Sequence, residues 1–170
     1  MRAVKVILGI VTLLVVVFFS TGLIIKKTTY QVKIEIEKPV TEVFSTFNNQ
    51  ELLKEWMTDV KSVKPINIKS GTVGSEYEMT VVNQGKEITM REKVLAFVPN
   101  KKVTLFFDAE DMLKTDEYNF SFSDDKTIIT KNVICKSDSY LMRCMFPYFK
   151  GTFTEIDQSY LNDFKTYIEK

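Results

Sequence analysis

The sequence contains no histidine. Catalysis by Ser-His-Asp or Cys-His pairs needs an imidazole base, so neither operates within this chain, and most zinc and iron sites lose their commonest ligand. Cysteine is nearly absent too, with only Cys135 and Cys144. Two thiols without histidine make a poor metal site, so no metal and no cofactor are expected. They pair as a disulfide only in an oxidising compartment, and the simpler reading is two unrelated small apolar side chains. Six glycines and four prolines leave no repeat, no low-complexity stretch and no phosphate-cradling loop. Acid is missing from the front of the chain, where nothing before Glu35 is negative.

That last absence resolves the charge balance. The formal net charge is +1, yet four of the 23 basic residues (Arg2, Lys5, Lys26 and Lys27) flank an N-terminal apolar run. Without them 19 basic residues face 22 acidic ones. A domain that is slightly acidic and has no basic cluster does not have the electrostatic footprint of a nucleic-acid binder.

What the chain does have is apolar bulk, including thirteen Phe and seven Tyr. Residues 7–25 carry no charge and are dominated by Val, Leu, Ile and Phe. As a helix this run is about 28 Å long, close to the thickness of a bilayer core. It continues through Leu23, Ile24 and Ile25, past the small residues Ser20, Thr21 and Gly22, which favours an uncleaved anchor over a signal peptide. Residues 1–27 are therefore expected to be a transmembrane anchor and residues 28–170 one domain, expected to be monomeric. The flanking charges give only a slight bias toward a cytoplasmic N-terminus, which puts the domain on the non-cytoplasmic face of a bacterial inner or plasma membrane.

Within the domain, Tyr30 to Glu37 alternates as a half-buried strand, with Val32, Ile34 and Ile36 on one face. Pro39 opens a helix carrying Val40, Val43, Phe44 and Phe47, and a second short helix spans 50–57. Strands follow at 60–69, 76–83, 86–98, 101–109, 116–123 and 127–136, with turns at Ser70-Gly71, Gln84-Gly85 and Asp124-Asp125. The period then changes. Phe149, Phe153, Ile156, Tyr160, Phe164 and Tyr167 recur every three or four residues, as on one long amphipathic helix. Consecutive strands with short turns imply an α+β fold in which a curved antiparallel seven-stranded sheet wraps the final helix.

Five stretches carry a family resemblance: "VKIEIEKPVTEVFSTFNN", "LLKEWM", "GTVGSEYEMTV", "EKVLAFVPNKKVTLFF" and the terminal "YLNDFKTYIEK". Over residues 30–170 the chain resembles the START-like or SRPBCC superfamily, which includes polyketide cyclase/dehydrase, lipid-transport and birch-pollen-allergen types. The resemblance implies the helix-grip fold and a cavity between sheet and last helix for a small apolar or lipidic ligand. Candidate lining residues are Tyr77, Met79, Met90, Leu105, Phe107, Tyr118, Phe120, Phe153, Ile156 and Tyr160. The alternative is that these side chains fill a solid core, leaving a protein-interaction domain.

No nucleophile motif or paired carboxylates appear, which argues against an enzyme. One residue runs the other way. On strand 86–98 the inward parity is Ile88, Met90, Glu92, Val94, so Glu92 is the weak catalytic candidate for a cyclase- or hydrolase-like reaction, with Tyr77 or Tyr118 as partner. A bulge turning Glu92 outward is the expectation, since a buried carboxylate is costly. Arg143 and the "FPYF" stretch at 146–149 are expected near the start of the final helix, where ordinary packing is the simpler reading and a membrane-facing lip of Phe146, Tyr148 and Phe149 at the cavity mouth is the alternative.

Overall fold

The computed structural model describes residues 2–83 and 85–170. Helix α1 (Arg2–Ile24) precedes β1 (Thr28–Ile36), α2 (Val40–Phe47) and α3 (Leu53–Trp56). Six further strands follow: β2 (Val60–Asn67), β3 (Glu76–Asn83), β4 (Lys86–Val98), β5 (Lys102–Ala109), β6 (Met112–Ser123) and β7 (Lys126–Lys136). Helix α4 (Tyr140–Ile168) closes the chain. The strands form one seven-stranded sheet in the order β1-β7-β6-β5-β4-β3-β2, with antiparallel pairing throughout. Consecutive strands are neighbours except β1, which returns to pair with β7. The α+β helix-grip expected from the sequence is the fold observed.

Local chemistry explains the tight connections. Asp124 and Asp125 both adopt positive φ, 52° and 60°. That backbone matches the twist of a two-residue hairpin, and Asp is among the few non-glycine residues that tolerate it. At the β3–β4 turn, Gln84 lies outside the described residues, while Gly85 has φ 77°.

The main core lies at one end of the sheet. Phe44, Phe47 and Trp56 from α2 and α3 pack against Phe120 and Phe164, with Phe47 within about 5 to 6 Å, ring centre to ring centre, of Trp56, Tyr118, Phe120 and Phe164. A smaller cluster of Tyr30, Val133, Cys135 and Phe146 holds the other end. Both cysteines are buried and free.

Several boundaries differ from the sequence reading. β6 begins at Met112 rather than Asp116, because polar Lys114 and Asp116 continue the inward face that Tyr118 starts. Helix α4 begins at Tyr140 and contains Pro147, so Arg143 and the FPYF stretch are helical. A proline there removes one backbone hydrogen bond, which hides the helix from a local reading without ending it. Phe146 is not on a lip: it is buried against Phe153, with ring centres 5.8 Å apart. Phe122, on the same strand parity as Tyr118 and Phe120, is exposed at the far end of β6.

Helix α1 is long and apolar enough to cross a membrane, and nearly all of it is exposed. Its last turns are the exception, because they pack on the first turns of α4. Phe18 stacks on Tyr148, Phe19 stacks on Tyr140, and Thr21 shares a 2.9 Å hydrogen bond with the Tyr148 hydroxyl. Tyr140 also donates to the Phe19 carbonyl. Gly22 is buried here, and a Cβ added to it would stand 2.5 Å from Cys144 Sγ.

Candidate functional site

One helix cannot cover the inward surface of seven curved strands. What remains between the two aromatic clusters is a cavity of about 450 Å³. That is ample for a small organic ligand, whose pockets start at roughly 300 Å³. The solid core weighed as the alternative is not what is found. Val82, Ile88 and Ile156 line the cavity and are also exposed, so they mark where it reaches the surface.

Of the ten lining candidates, all but Phe120 face the cavity. Phe120 packs instead between Phe44 and Phe47, because its end of the sheet is covered by α2. Tyr77 and Met79 come from β3, Met90 from β4, Leu105 and Phe107 from β5, and Tyr118 from β6. Helix α4 supplies Phe153, Ile156 and Tyr160. The Tyr160 hydroxyl donates to Asp59 at 3.1 Å, and burial beside that acid pushes its pKa up to about 12.

Glu92 also faces inward and is 2% exposed. This corrects the expected outward turn. The bulge in β4 does exist, but it lies between Val94 and Ala96, after Glu92 has been placed. Directly across the sheet stand Tyr77 on β3 and Phe107 on β5. Burial, helped by the charge of the nearby Asp116 and only partly offset by the hydrogen bond from the Gln50 amide, raises the Glu92 pKa to about 7. The Tyr118 hydroxyl, considered as its partner, points to Asp116 Oδ2 at 3.5 Å.

The largest feature was not foreseen. Four charged side chains meet against the cavity wall: Lys114 and Asp116 on β6, Lys131 on β7 and Asp157 on α4. Lys131 Nζ lies 2.8 Å from both Asp116 Oδ2 and Asp157 Oδ1. Lys114 Nζ lies 2.9 Å from Asp157 Oδ1 and 3.3 Å from Asp116 Oδ2. Tyr30 donates to Asp157 Oδ2 at 2.7 Å. Burial alone would raise the Asp157 pKa, but the two ammonium groups overcome it and hold the carboxyl below its ordinary value. Burial would likewise lower both lysines, and the two aspartates outweigh it and keep them charged. The cluster is thus a closed ring of two cations and two anions.

Burying such a ring gains little net stability, since desolvating four charges offsets most of their attraction. Each member nevertheless depends on the others. The arrangement also leaves loose ends: Asp116 Oδ1, Gln50 Oε1 and Trp56 Nε1 are buried without a hydrogen-bond partner, and all three residues line the cavity. Buried polar atoms are seldom left unpaired in a folded protein.

The strand members of this ring were legible in the alternation. Lys114 and Asp116 precede Tyr118 on its own parity, and Lys131 sits between inward Ile129 and Val133. Asp157 had no such signal. The stripe read from aromatics passes through Ile156 and Tyr160, whereas the buried face of α4 runs through Asp157, Leu161 and Phe164.

Comparison with known proteins follows the same architecture. Residues 37–133 match the family model described as activator of Hsp90 ATPase homolog 1-like protein. Comparison with curated protein sequences returns no match. Among solved structures, a START superfamily protein from Mycobacterium smegmatis superposes with TM-score 0.69 at 11% identity, over 83% of this chain and 97% of that one. Ara h 8.0201 gives 0.66 at 13% identity, over 84% and 97%. The di-domain ARO/CYC StfQ from the steffimycin biosynthetic pathway gives 0.69 at 10%, over 84% of this chain and 51% of that one. At these identities the likeness concerns the fold.

Proposed function

This chain belongs to the activator of Hsp90 ATPase homolog 1-like family, AHSA1, and we propose that it is a membrane-anchored module that binds a small apolar or lipidic molecule between sheet and α4. One observation carries the reading: a cavity of about 450 Å³ walled largely by aromatic, methionine and aliphatic side chains and open at an apolar rim. Leaving that much apolar surface unfilled sacrifices packing that a purely structural domain would recover. Helix α1 supplies the second half of the proposal. A run of apolar side chains exposed over most of a helix long enough to span a bilayer is stable in lipid and costly in water. An anchor of this kind keeps the cavity beside the phase in which apolar ligands dissolve.

A second reading rests on Glu92. A carboxyl with a pKa of about 7 inside a cavity can accept and return a proton at neutral pH, as a cyclase- or hydrolase-like enzyme would require. Binding is the stronger reading, because the aspartates near Glu92 are committed to Lys114 and Lys131, and the Cys135 thiol that lines the same cavity is pushed up to about 11 by burial and so is a poor nucleophile.

Native mass spectrometry of the full chain released from lipid nanodiscs tests the proposal. A small molecule retained in the protein after incubation with bacterial lipid extract is expected, with loss of that adduct in Met90→Trp, which fills the cavity. Protein that always flies empty would refute it.

A further inference from the structure

The polar wall of the cavity is unbalanced in one respect. Both lysines are held by both aspartates, so their positive charge is already matched. Glu92 is a surplus acid: no cation pairs with it among the described residues, yet it is 2% exposed and lines the same space. Asp116 Oδ1 is a buried acceptor without a donor. Two hydroxyl donors near the wall are already directed elsewhere. The Tyr30 hydroxyl goes to Asp157 and the Tyr160 hydroxyl to Asp59. Unused acceptors with matched cations define the complement they lack.

We infer that the cavity takes an amphiphile whose buried polar end donates hydrogen bonds, an alcohol or an amine, and that it rejects carboxylate and phosphate heads. This rests on the binding function proposed above and specifies its ligand class. A hydroxyl or ammonium group can donate to the unpaired Asp116 Oδ1 and to the Glu92 carboxyl on the same wall, while the chain lies along Met79, Leu105 and Phe107. A hydroxyl can also accept from the orphaned Trp56 indole N–H. An anionic head would enter beside an unpaired acid and a lysine ring with no charge to spare. Its hydration would be lost with no compensating charge.

Trp56 gives the measurement. It is the one tryptophan of the chain, it is buried, and it lines the cavity. A terminally brominated chain bound beside it quenches its fluorescence, whereas a chain dissolved in surrounding lipid stays out of contact. The full protein in nanodiscs is titrated with bromododecanol, bromododecylamine and bromododecanoate, each corrected for uptake by empty nanodiscs. Saturable quenching by the alcohol or the amine is expected at concentrations at least about tenfold below those needed for the carboxylate, and the two donor probes separate a neutral head from a cationic one. Glu92→Leu, which keeps an apolar side chain of similar size in the wall, should narrow that preference severalfold while leaving quenching intact. A carboxylate bound as well as the alcohol and amine, or better, overturns the donor-head inference and leaves the binding function standing. A preference unchanged in Glu92→Leu also counts against it. Absence of quenching by all three probes overturns the binding function itself.

Discussion

Glu92 occupies a strand position whose neighbours on the same face are methionine, valine and aromatic rings. Unfolded, it titrates near its ordinary value of 4.5, and folded near 7. Below the lower value both states carry the proton and burial costs nothing. As pH rises from there to the folded value, the unfolded chain gives up its proton first, so stability falls and then levels off above about pH 7. At roughly 1.4 kcal/mol per pH unit, the loss is about 3 kcal/mol. Glu92→Gln has no such loss. Its stability relative to the parent should therefore rise by about that amount between pH 4 and pH 8, measured by urea unfolding at both. A relative stability that stays constant across that range would show a carboxyl in contact with water. At this scale the sequence was half legible. Alternation placed Glu92, and the same alternation extended two steps would have found Asp116 and Lys114. Asp157 was beyond its reach, because a single acid on a helix reads as solvated until the lysines that hold it are known.

Helix α4 shows how position along one element changes what a side chain is worth. Phe164 is fully buried among Phe47 and Trp56. Phe153, about three turns earlier, is half-buried and borders the cavity. Truncating the first opens a hole in packed material, whereas truncating the second enlarges a space that already exists. Phe164→Ala should cost about 3–5 kcal/mol, and Phe153→Ala roughly 1–2. Thermal or denaturant unfolding of the two variants compares them, and equal losses would mean that Phe153 is packed as tightly as the core. The aromatic period revealed this helix from Phe149 onward but not its first turns. Pro147 and the short run of mixed residues before it obscured two turns that tertiary contacts hold helical. The strands were clearer, since alternation is a strong signal wherever one face is buried and the other wet. Strand ends were the weak points, as at β6, where polar residues occupy inward sites.

Across the whole molecule, the contact between α1 and α4 is the feature that no local pattern announced. It depends on close approach at Gly22, where a side chain would collide with Cys144. Gly22→Leu should pry the helices apart and expose Cys144, which is now completely buried. With Cys135 replaced by Ser, maleimide labelling of Cys144 in the native full-length protein should accelerate at least about tenfold. An unchanged labelling rate would show that the helices do not meet there. The anchor proposal gives this contact a mechanical meaning. A body hung from a membrane by a single flexible joint can swivel, and its opening would sample every direction. Here the three-residue segment 25–27 is one attachment and the α1–α4 seam is another. Two attachments remove the swivel, so the rim at Val82, Ile88 and Ile156 keeps a constant attitude to the bilayer. Loading would then be governed by molecules drifting sideways through the lipid rather than by tumbling of the protein above it.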